Sequence, residues 1–327
     1  MKRISAPRWL WAALFMCAAA LPGAAARAAS YPQRPIVWTV PYPPGGTTDV
    51  VARNIAQAMS KVLNTSIVVE NKAGAGGQIA MTWVAHAPAD GYTLLVSDAS
   101  LATAPSLYKH MVVDPLKDLQ PVALFVTVPH LLVVNPRLDV RTLAQLVALT
   151  RKEPGKLNFS SGGIGSPLHL AGEVLRMETG LEWTHVPYKG AGPAILAAVS
   201  GEAQIATPSL PSALPQVRAG KLRALAVTSP KRVAALPDVP TVAELGYPKA
   251  TVFGWVGLHA PAGTPADVLQ KLQAAAAQAM RDPALAERLH GLGADVVMES
   301  AAQYGKLLSD ETARWKKVVQ AAGLKPE

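Results

Sequence analysis

The chain has one cysteine in 327 residues, Cys17, and it sits inside a stretch that reads as a cleavable leader. A mature protein without cysteine has no disulfide and no thiol nucleophile, whatever the redox state of its compartment. Aromatic residues are 6% of the chain, and Lys and Arg form no run and no stripe interleaved with aromatics, so nucleic-acid binding lacks its electrostatic footprint. Beyond the leader no apolar run is long enough to span a bilayer. The histidines stand at 86, 110, 130, 169, 185, 259 and 290. No two are three or four apart, which removes the helical His pair of a metal site. No G-x-S-x-G elbow seats a hydrolase serine. No loop ends in Gly-Lys-Ser/Thr, and "SSGGIGSPLH" lacks the third glycine of G-x-G-x-x-G. Neither cofactor nor metal is expected, and the chain is not read as an enzyme.

What is present begins with the leader. "MKRISAPR" is positively charged, "WLWAALFMCAAAL" is apolar but short for a span, and "PGAAARAAS" offers small residues for cleavage. This order is a bacterial secretory signal peptide over residues 1–28, cleaved after Ala28, where Ala26-Arg27-Ala28 fits A-x-A. A lipoprotein signal at Cys17 would want a small preceding residue and finds Met16. The expected location is the periplasm. Lys2, Arg3, Arg8 and Arg27 leave with the leader, so the formal charge of +9 falls to +5. A monomer without a nucleic-acid partner is expected.

Half of the residues are apolar, and the length suits two domains. "RPIVWTVPY", "TSIVVENK" and "YTLLVSD" read as strands. They alternate with "TTDVVARNIAQAMSKVL", apolar at Val51, Ile55, Met59 and Val62, and with "AGAGGQIAMTWVAHA". This β-α-β-α-β order predicts a mostly parallel sheet with helices on its faces. "VALFVTVPHLLVVNP" reads as strand, break, strand. A second alternation follows: a helix capped by Thr142, the strand "KLNFSS", a helix closed by Gly180, the strand "WTHVPY", the helix "GPAILAAVSG", and the strands "AQIATPS" and "KLRALAVTS". "FGWVGLHAPAG" reads as a return strand. Thr47 or Thr48 is expected to cap the first helix and Thr264 the helix "TPADVLQKLQAAAAQAMRD". The expected division is a discontinuous first domain, 29–129 and 254–327, with 130–253 inserted as the second.

Four loops share one design of strand, glycine turn and helix start: "YPPGGTTD", "AGAGGQ", "SSGGIGSPLH" and "YKGAGPA". Unpaired N–H groups and the macrodipole at a helix start favour an anion, and glycine lets it approach the backbone. Each loop alone reads as an ordinary turn. Two of them, however, carry the same lead-in, Val-Pro-Tyr, ending at Tyr42 and Tyr188. The pair predicts two halves of one small-anion site, with a carboxylate favoured over a pyrophosphate. Ser166 reads as an N-cap. In the functional alternative it is a hydroxyl donor beside His169, whose imidazole would be a neutral N–H donor at a helix start. Tyr42 and Tyr188 either pack beneath their loops or offer ring and hydroxyl to a ligand.

In order along the chain, "VPYPPGGTTDVVAR", "VVENKAGAGGQIA", "PSLYKHMVVDPLKDLQPVA", "GSPLHLAGE", "HVPYKGAGPAI", "LPSALPQVRAGKLRALAVTS" and "GWVGLHAPAGTP" resemble the Bug family, the TctC-like solute-binding proteins of tripartite tricarboxylate transporters. The resemblance covers nearly the whole mature chain. It implies a two-lobed periplasmic binding protein type II fold, each lobe a mixed, mostly parallel sheet flanked by helices. It implies capture of a small carboxylate and transient membrane transporter partners. It places ligand contacts in the loop of Tyr42, Pro44, Gly45, Gly46, Thr47 and Thr48, and at Ser97 and Asp98. From the other lobe it places them at Ser161, Gly165, Ser166 and His169, at Tyr188, Gly190 and Ala191, and at Ser209. The sequence departs from the family in two places: Pro208 and Ser209 replace a common Asp-Asn pair, and Ala104 replaces a polar residue. Loss of an acid favours a carboxylate without an amine. A sensing role toward a membrane receptor, or an enzyme built on Ser166 and His169, are the alternatives.

Overall fold

The computed structural model describes residues 31–324 and Pro326; the leader read at 1–28 lies outside the described residues. The first sheet has the order β11-β4-β10-β3-β1-β2 and the second β7-β6-β8-β5-β9. Their strands are β1 (Ile36–Val40), β2 (Ile67–Asn71), β3 (Thr93–Ser97), β4 (Leu119–Pro129), β5 (Leu131–Val134), β6 (Asn158–Ser161), β7 (Thr184–Pro187), β8 (Ile205–Ala206), β9 (Arg223–Val227), β10 (Phe253–Pro261) and β11 (Asp295–Ser300). β1 pairs in parallel with β2 and β3, while β10 runs antiparallel to β3 and β4. In the second sheet β6 pairs in parallel with β7 and β8, and β5 is antiparallel to β8 and β9. Each sheet is therefore mixed, and the chain forms two lobes.

Helices cover both sheets. In the first lobe these are α1 (Thr47–Leu63), α2 (Gln78–Ala85) and α3 (Ser100–Leu107); in the second, α4 (Leu143–Lys152), α5 (Pro167–Thr179), α6 (Ala191–Ser200) and α7 (Leu210–Arg218). α8 (Ala266–Ala279), α9 (Pro283–Gly291) and α10 (Ala301–Ala321) return to the first lobe. Val51, Ile55 and Met59 bury the predicted face of α1, against a core where Trp38 stacks on Phe125 at 5.8 Å. Phe159 stacks on Trp183 at 4.6 Å in the second lobe. A Cβ at Gly172 would overlap that Phe159 ring, so α5 can sit this close only with glycine there.

The helix starts follow the sequence in some places and not in others. Thr142 forms a full capping box with Gln145, a device worth about 1 kcal/mol. Gly180 closes α5 in the left-handed conformation. The expected threonine caps at α1 and α8 do not form. Gly46 is the N-cap of α1 and Pro265 that of α8, both without a side-chain bond, and the Thr264 hydroxyl turns back to the Pro261 carbonyl.

The chain crosses between sheets twice, side by side. β4 passes into β5 at His130, and Thr228 leaves β9 toward β10. The two crossings are tied together: Thr228 N–H donates to the His130 carbonyl at 3.0 Å, His130 N–H to Thr228 Oγ1 at 3.1 Å, and Val252 N–H to the Thr228 carbonyl at 2.9 Å. Away from this clasp, Leu170, Ala171 and Val174 of α5 pack in one buried cluster with Tyr304, Leu308, Trp315 and Val318 of α10, joining the lobes along one flank.

Candidate functional site

In the first lobe β1 lies between β2 and β3, and its C-terminal end is the switch point at which α/β sheets bind ligands. The loop leaving it bends at Gly45, with φ +87°, and Gly45 N–H donates to Asp49 Oδ2 at 2.9 Å. Asp49 is buried and also accepts from Arg53 Nε at 3.0 Å and Asn71 Nδ2 at 2.9 Å. Burial alone would raise the Asp49 carboxyl, but the Arg53, Gly45 and Asn71 donors outweigh it and hold it below the usual range. The turn is thus braced from behind by the helix it opens. With no side chain capping α1 at Gly46, its first-turn N–H groups keep their capacity for an anion.

Asp98 follows β3 into the same corner. Its Oδ1 accepts from Ser100 N–H at 2.9 Å, Ser100 Oγ at 2.6 Å and Tyr42 Oη at 3.1 Å. Its Oδ2 accepts from Thr48 Oγ1 at 3.3 Å. Burial pushes the Asp98 carboxyl up, against hydrogen bonds from Ser100, Tyr42 and Thr48 that favour its charge. Burial, joined by the nearby Asp98, also lifts the Tyr42 phenol well above its ordinary value. Ser97 takes the opposite face of the strand. It is buried and bonded to His259 Nδ1 and Tyr304 Oη, each at 2.8 Å, so its side chain supports the sheet and is turned away from this corner.

β6 holds the matching place in the second lobe, between β8 and β7. The turn after it bends at Gly165, φ +72°, whose N–H donates to His169 Nδ1 at 3.0 Å. His169 Nε2 faces Glu173 Oε1 at 3.8 Å, and its ring stacks on His185 at 4.0 Å. Burial, with lesser contributions from His185 and Arg176, holds the imidazole down to about 4. His169 is neutral, but the donor role expected for it is not what its geometry provides. The ring is 3% exposed, and both nitrogens are turned into the protein. Ser166 caps α5 by accepting the backbone N–H of His169 at 3.2 Å, so hydroxyl and imidazole are not a nucleophile–base pair. The side chain that does meet an imidazole is Ser161, whose Oγ lies 2.6 Å from His185 Nε2 and also accepts from Gly163 N–H at 3.2 Å. Ser161 is fully buried, which makes this pair an internal brace of the turn.

β7 leads into the other glycine turn of this lobe. Gly190, φ +108°, is the N-cap of α6 with no side-chain bond, and Ala191 begins the helix. A Cβ on Gly162 would stand 3.2 Å from Ala191 N and Gly190 C, so the two second-lobe turns touch through their backbones. A Cβ on Gly165 would stand 3.1 Å from the Leu107 side chain at the end of α3, so the same loop reaches the first lobe. Tyr188 turns aside, donating its hydroxyl to Glu202 at 2.8 Å. Ser209 opens α7 beside the crossover, bridging His130 and bonding Ser212 at 2.6 Å. Pro44 is exposed at the tip of the first turn.

The structure therefore joins Tyr42, Thr48 and Asp98 in one corner and Ser161, Gly165, Ser166 and His169 in one loop backed by Gly190 and Ala191. Sequence reasoning missed Ser100 and His185. A serine two residues past an aspartate is a turn signal for an Asx bond and could have found Ser100. His185 is joined to Ser161 only through the β6–β7 register, which no local pattern reveals. Among the described residues no three His, Cys, Asp or Glu side chains gather as a metal site, and no helix is long and apolar enough to cross a membrane.

Comparison with known proteins gives a consistent picture. The sequence model described as the tripartite tricarboxylate transporter family receptor, TctC, matches residues 51–324. Protein BugT of Bordetella pertussis is 39% identical over 298 residues, covering 90% of this chain and 91% of its own. The solved structure of Rpa4515 from R. palustris with adipate superposes with a TM-score of 0.80 at 35% identity, covering 91% of this chain and 100% of that one. MatC from Rhodopseudomonas palustris with bound malate gives 0.76 at 35% identity, covering 88% and 100%.

Proposed function

Because this chain belongs to the tripartite tricarboxylate transporter receptor family, we propose that it captures a small carboxylated solute between its lobes and delivers it to the membrane subunits of such a transporter. The observation that carries this reading is the pair of matched switch points. Each lobe presents a braced glycine turn at the end of its central parallel strand, and uncapped helix starts lie at Gly46 and Gly190. Such starts offer backbone N–H groups and a partial positive charge to a carboxylate. The relatives with bound adipate and malate support the same solute class. We place the solute between the loop 42–48 with Asp98 on one side and the turns 161–166 and 188–191 on the other, with the lobes divided at 129/130 and 253/254. Closure about the His130–Thr228 clasp would bury it and present a surface to the membrane partner. The chain works as a monomer in the periplasm after cleavage at Ala28.

The solute we infer lacks an amine. Pro208 and Ser209 supply no acid; Asp49 is engaged by Arg53 and Asn71, Glu173 by Arg176 and Glu202 by Tyr188, and Asp98 is held by the hydroxyls of Ser100, Tyr42 and Thr48. Mass spectrometry of solute released from the purified protein, followed by a thermal-shift panel of carboxylates, tests the reading. A true solute at about 100 times its Kd adds about 2.7 kcal/mol of stability. Turnover of any panel member overturns the binding role. Tighter binding of aspartate or glutamate than of di- and tricarboxylates overturns the amine-free class.

A further inference from the structure

We propose that Asp98 takes up one proton from solvent as the anionic solute binds, so that the first-lobe corner binds a proton and a carboxylate together. This inference rests on the carboxylate reading above. The two oxygens of Asp98 are unequal. Oδ1 is filled by three donors, Ser100 N–H, Ser100 Oγ and Tyr42 Oη. Among the described residues Oδ2 accepts from the Thr48 hydroxyl alone, at 3.3 Å. A proton placed on Oδ2 finds an acceptor in Thr48 Oγ1, and the Thr48 hydroxyl proton is then released to point at a solute. Thr48 is the second residue of α1, so Asp98 reaches the same helix start that would hold the anion. Two carboxylates at one helix start, with no cation between them, cannot both keep their charge cheaply, and one proton shared with the site resolves the conflict.

Among the described residues no cation is paired with Asp98, whose partners are Ser100, Tyr42 and Thr48. From the turn and α1, Tyr42 and Thr48 reach Asp98, while Asp49 lies behind the turn, bonded to Arg53. From α3 comes Ser100, with Tyr108 beyond its end beside Tyr42. On the opposite face of the strand, Tyr304 of α10 and His259 of β10 are both bonded to Ser97. His259 is held neutral by burial, down to about 3. The upward push of burial on Asp98 has the direction a proton-binding carboxyl needs.

The test is isothermal titration calorimetry of the mature chain with malate and with adipate from pH 5.5 to 8, in buffers of different ionisation enthalpy. Both probes are fully ionised over the upper part of that range. There the expected result is uptake of about one proton and an affinity that falls about tenfold per pH unit. Asp98→Asn should bind at an affinity independent of pH, and Thr48→Val should weaken binding while keeping the slope. Binding of either anion without proton uptake overturns the inference and leaves the carboxylate reading standing. A wild-type slope retained in Asp98→Asn does the same. Loss of all binding in Asp98→Asn, with aspartate held tightly by the wild type at pH 8, would mean that Asp98 stays ionised as an ammonium partner. No binding of any carboxylate at pH 5.5 overturns both readings. The wild-type proton count requires no variant to fold.

Discussion

The two central glycine turns are built on one plan and braced by opposite chemistry. In each lobe the strand order is repeated, β3-β1-β2 and β8-β6-β7. In each, a glycine of positive φ donates its N–H to the side chain four residues on, in the first turn of the helix. In the first lobe that acceptor is a carboxylate, Gly45 to Asp49; in the second it is a neutral imidazole, Gly165 to His169. The Val-Pro-Tyr echo that draws the eye in the sequence is a false twin. Val40-Pro41-Tyr42 follows the middle strand of the parallel trio β3-β1-β2, whereas Val186-Pro187-Tyr188 ends an edge strand, where proline costs no ladder bond. Equivalent places are set by the order of pairing, and two unlike residues hold them. The consequence is electrostatic. α1 carries an acid in its first turn and α5 carries none, so an anion meets more negative charge in the first lobe, beside Asp98.

Exchanging the two braces is the sharpest way to break this comparison. His169→Asp would put a carboxylate into a pocket that is 3% exposed, facing Glu173 Oε1, which now lies 3.8 Å from the ring. Two buried acids would compete for one site, and the expected loss is about 3 kcal/mol in urea unfolding. Asp49→His should cost less, about 1–2 kcal/mol, because the partner it strands, Arg53, is half exposed and can turn to water. Equal costs would mean that the pockets do not differ in kind.

Acid separates the braces without mutation. The folded pKa of His169 lies at about 4, below its ordinary 6.5, so the unfolded chain binds the proton first. The stability it contributes is whole above about 6.5 and is lost as pH falls toward 4, at up to about 1.4 kcal/mol per pH unit. His130 at about 4 and His259 at about 3 act in the same direction. Asp49 lies below its ordinary 3.8. Its contribution is present above that value and fades only at lower pH, leaving the first turn braced at pH 5 while the second weakens. Urea midpoints at pH 7.5 and 5 should fall less for His169→Gln than for the parent. An identical fall would show that His169 does not titrate in folding.

Much of this was legible beforehand, and the reasons are physical. Strands such as "YTLLVSD" and "WTHVPY" and the α1 face of Val51, Ile55 and Met59 declare themselves by period and flanking turns. Thr142 and Ser166 cap as their positions suggest, because a local side chain reaches a local N–H. α9 and β11 went unread. β11 is a bulged edge strand with no fully buried residue and lacks a clean alternation. At the site, the glycines announced the turns, but the braces did not announce themselves. That Asp98 would gather Tyr42 and Thr48 from about fifty residues away depends on β1 pairing with β3. Ser97 reads as a neighbour of Asp98 yet faces the opposite side, since a strand turns every second side chain over.

The smallest expected change in stability is the most direct probe of where a solute's charge sits. Gly46 has extended angles, φ −74° and ψ 165°, which any residue adopts, and a Cβ there would have only the Pro43 carbonyl nearby, at 3.9 Å. Gly190 has φ +108°, where a side chain is strained whatever the space. Gly190→Ala should therefore cost about 1–2 kcal/mol of stability, and Gly46→Ala less than about 0.5 kcal/mol. Both add a methyl at an uncapped helix start. If the carboxylate rests on α1, Gly46→Ala should weaken solute binding about tenfold, the worth of one charge-assisted hydrogen bond, with an unchanged melting temperature in the solute-free protein. A fall in affinity confined to Gly190→Ala would assign the anion to the second lobe, whose braces carry no charge. Asp98 would then face whatever the solute presents at its other end.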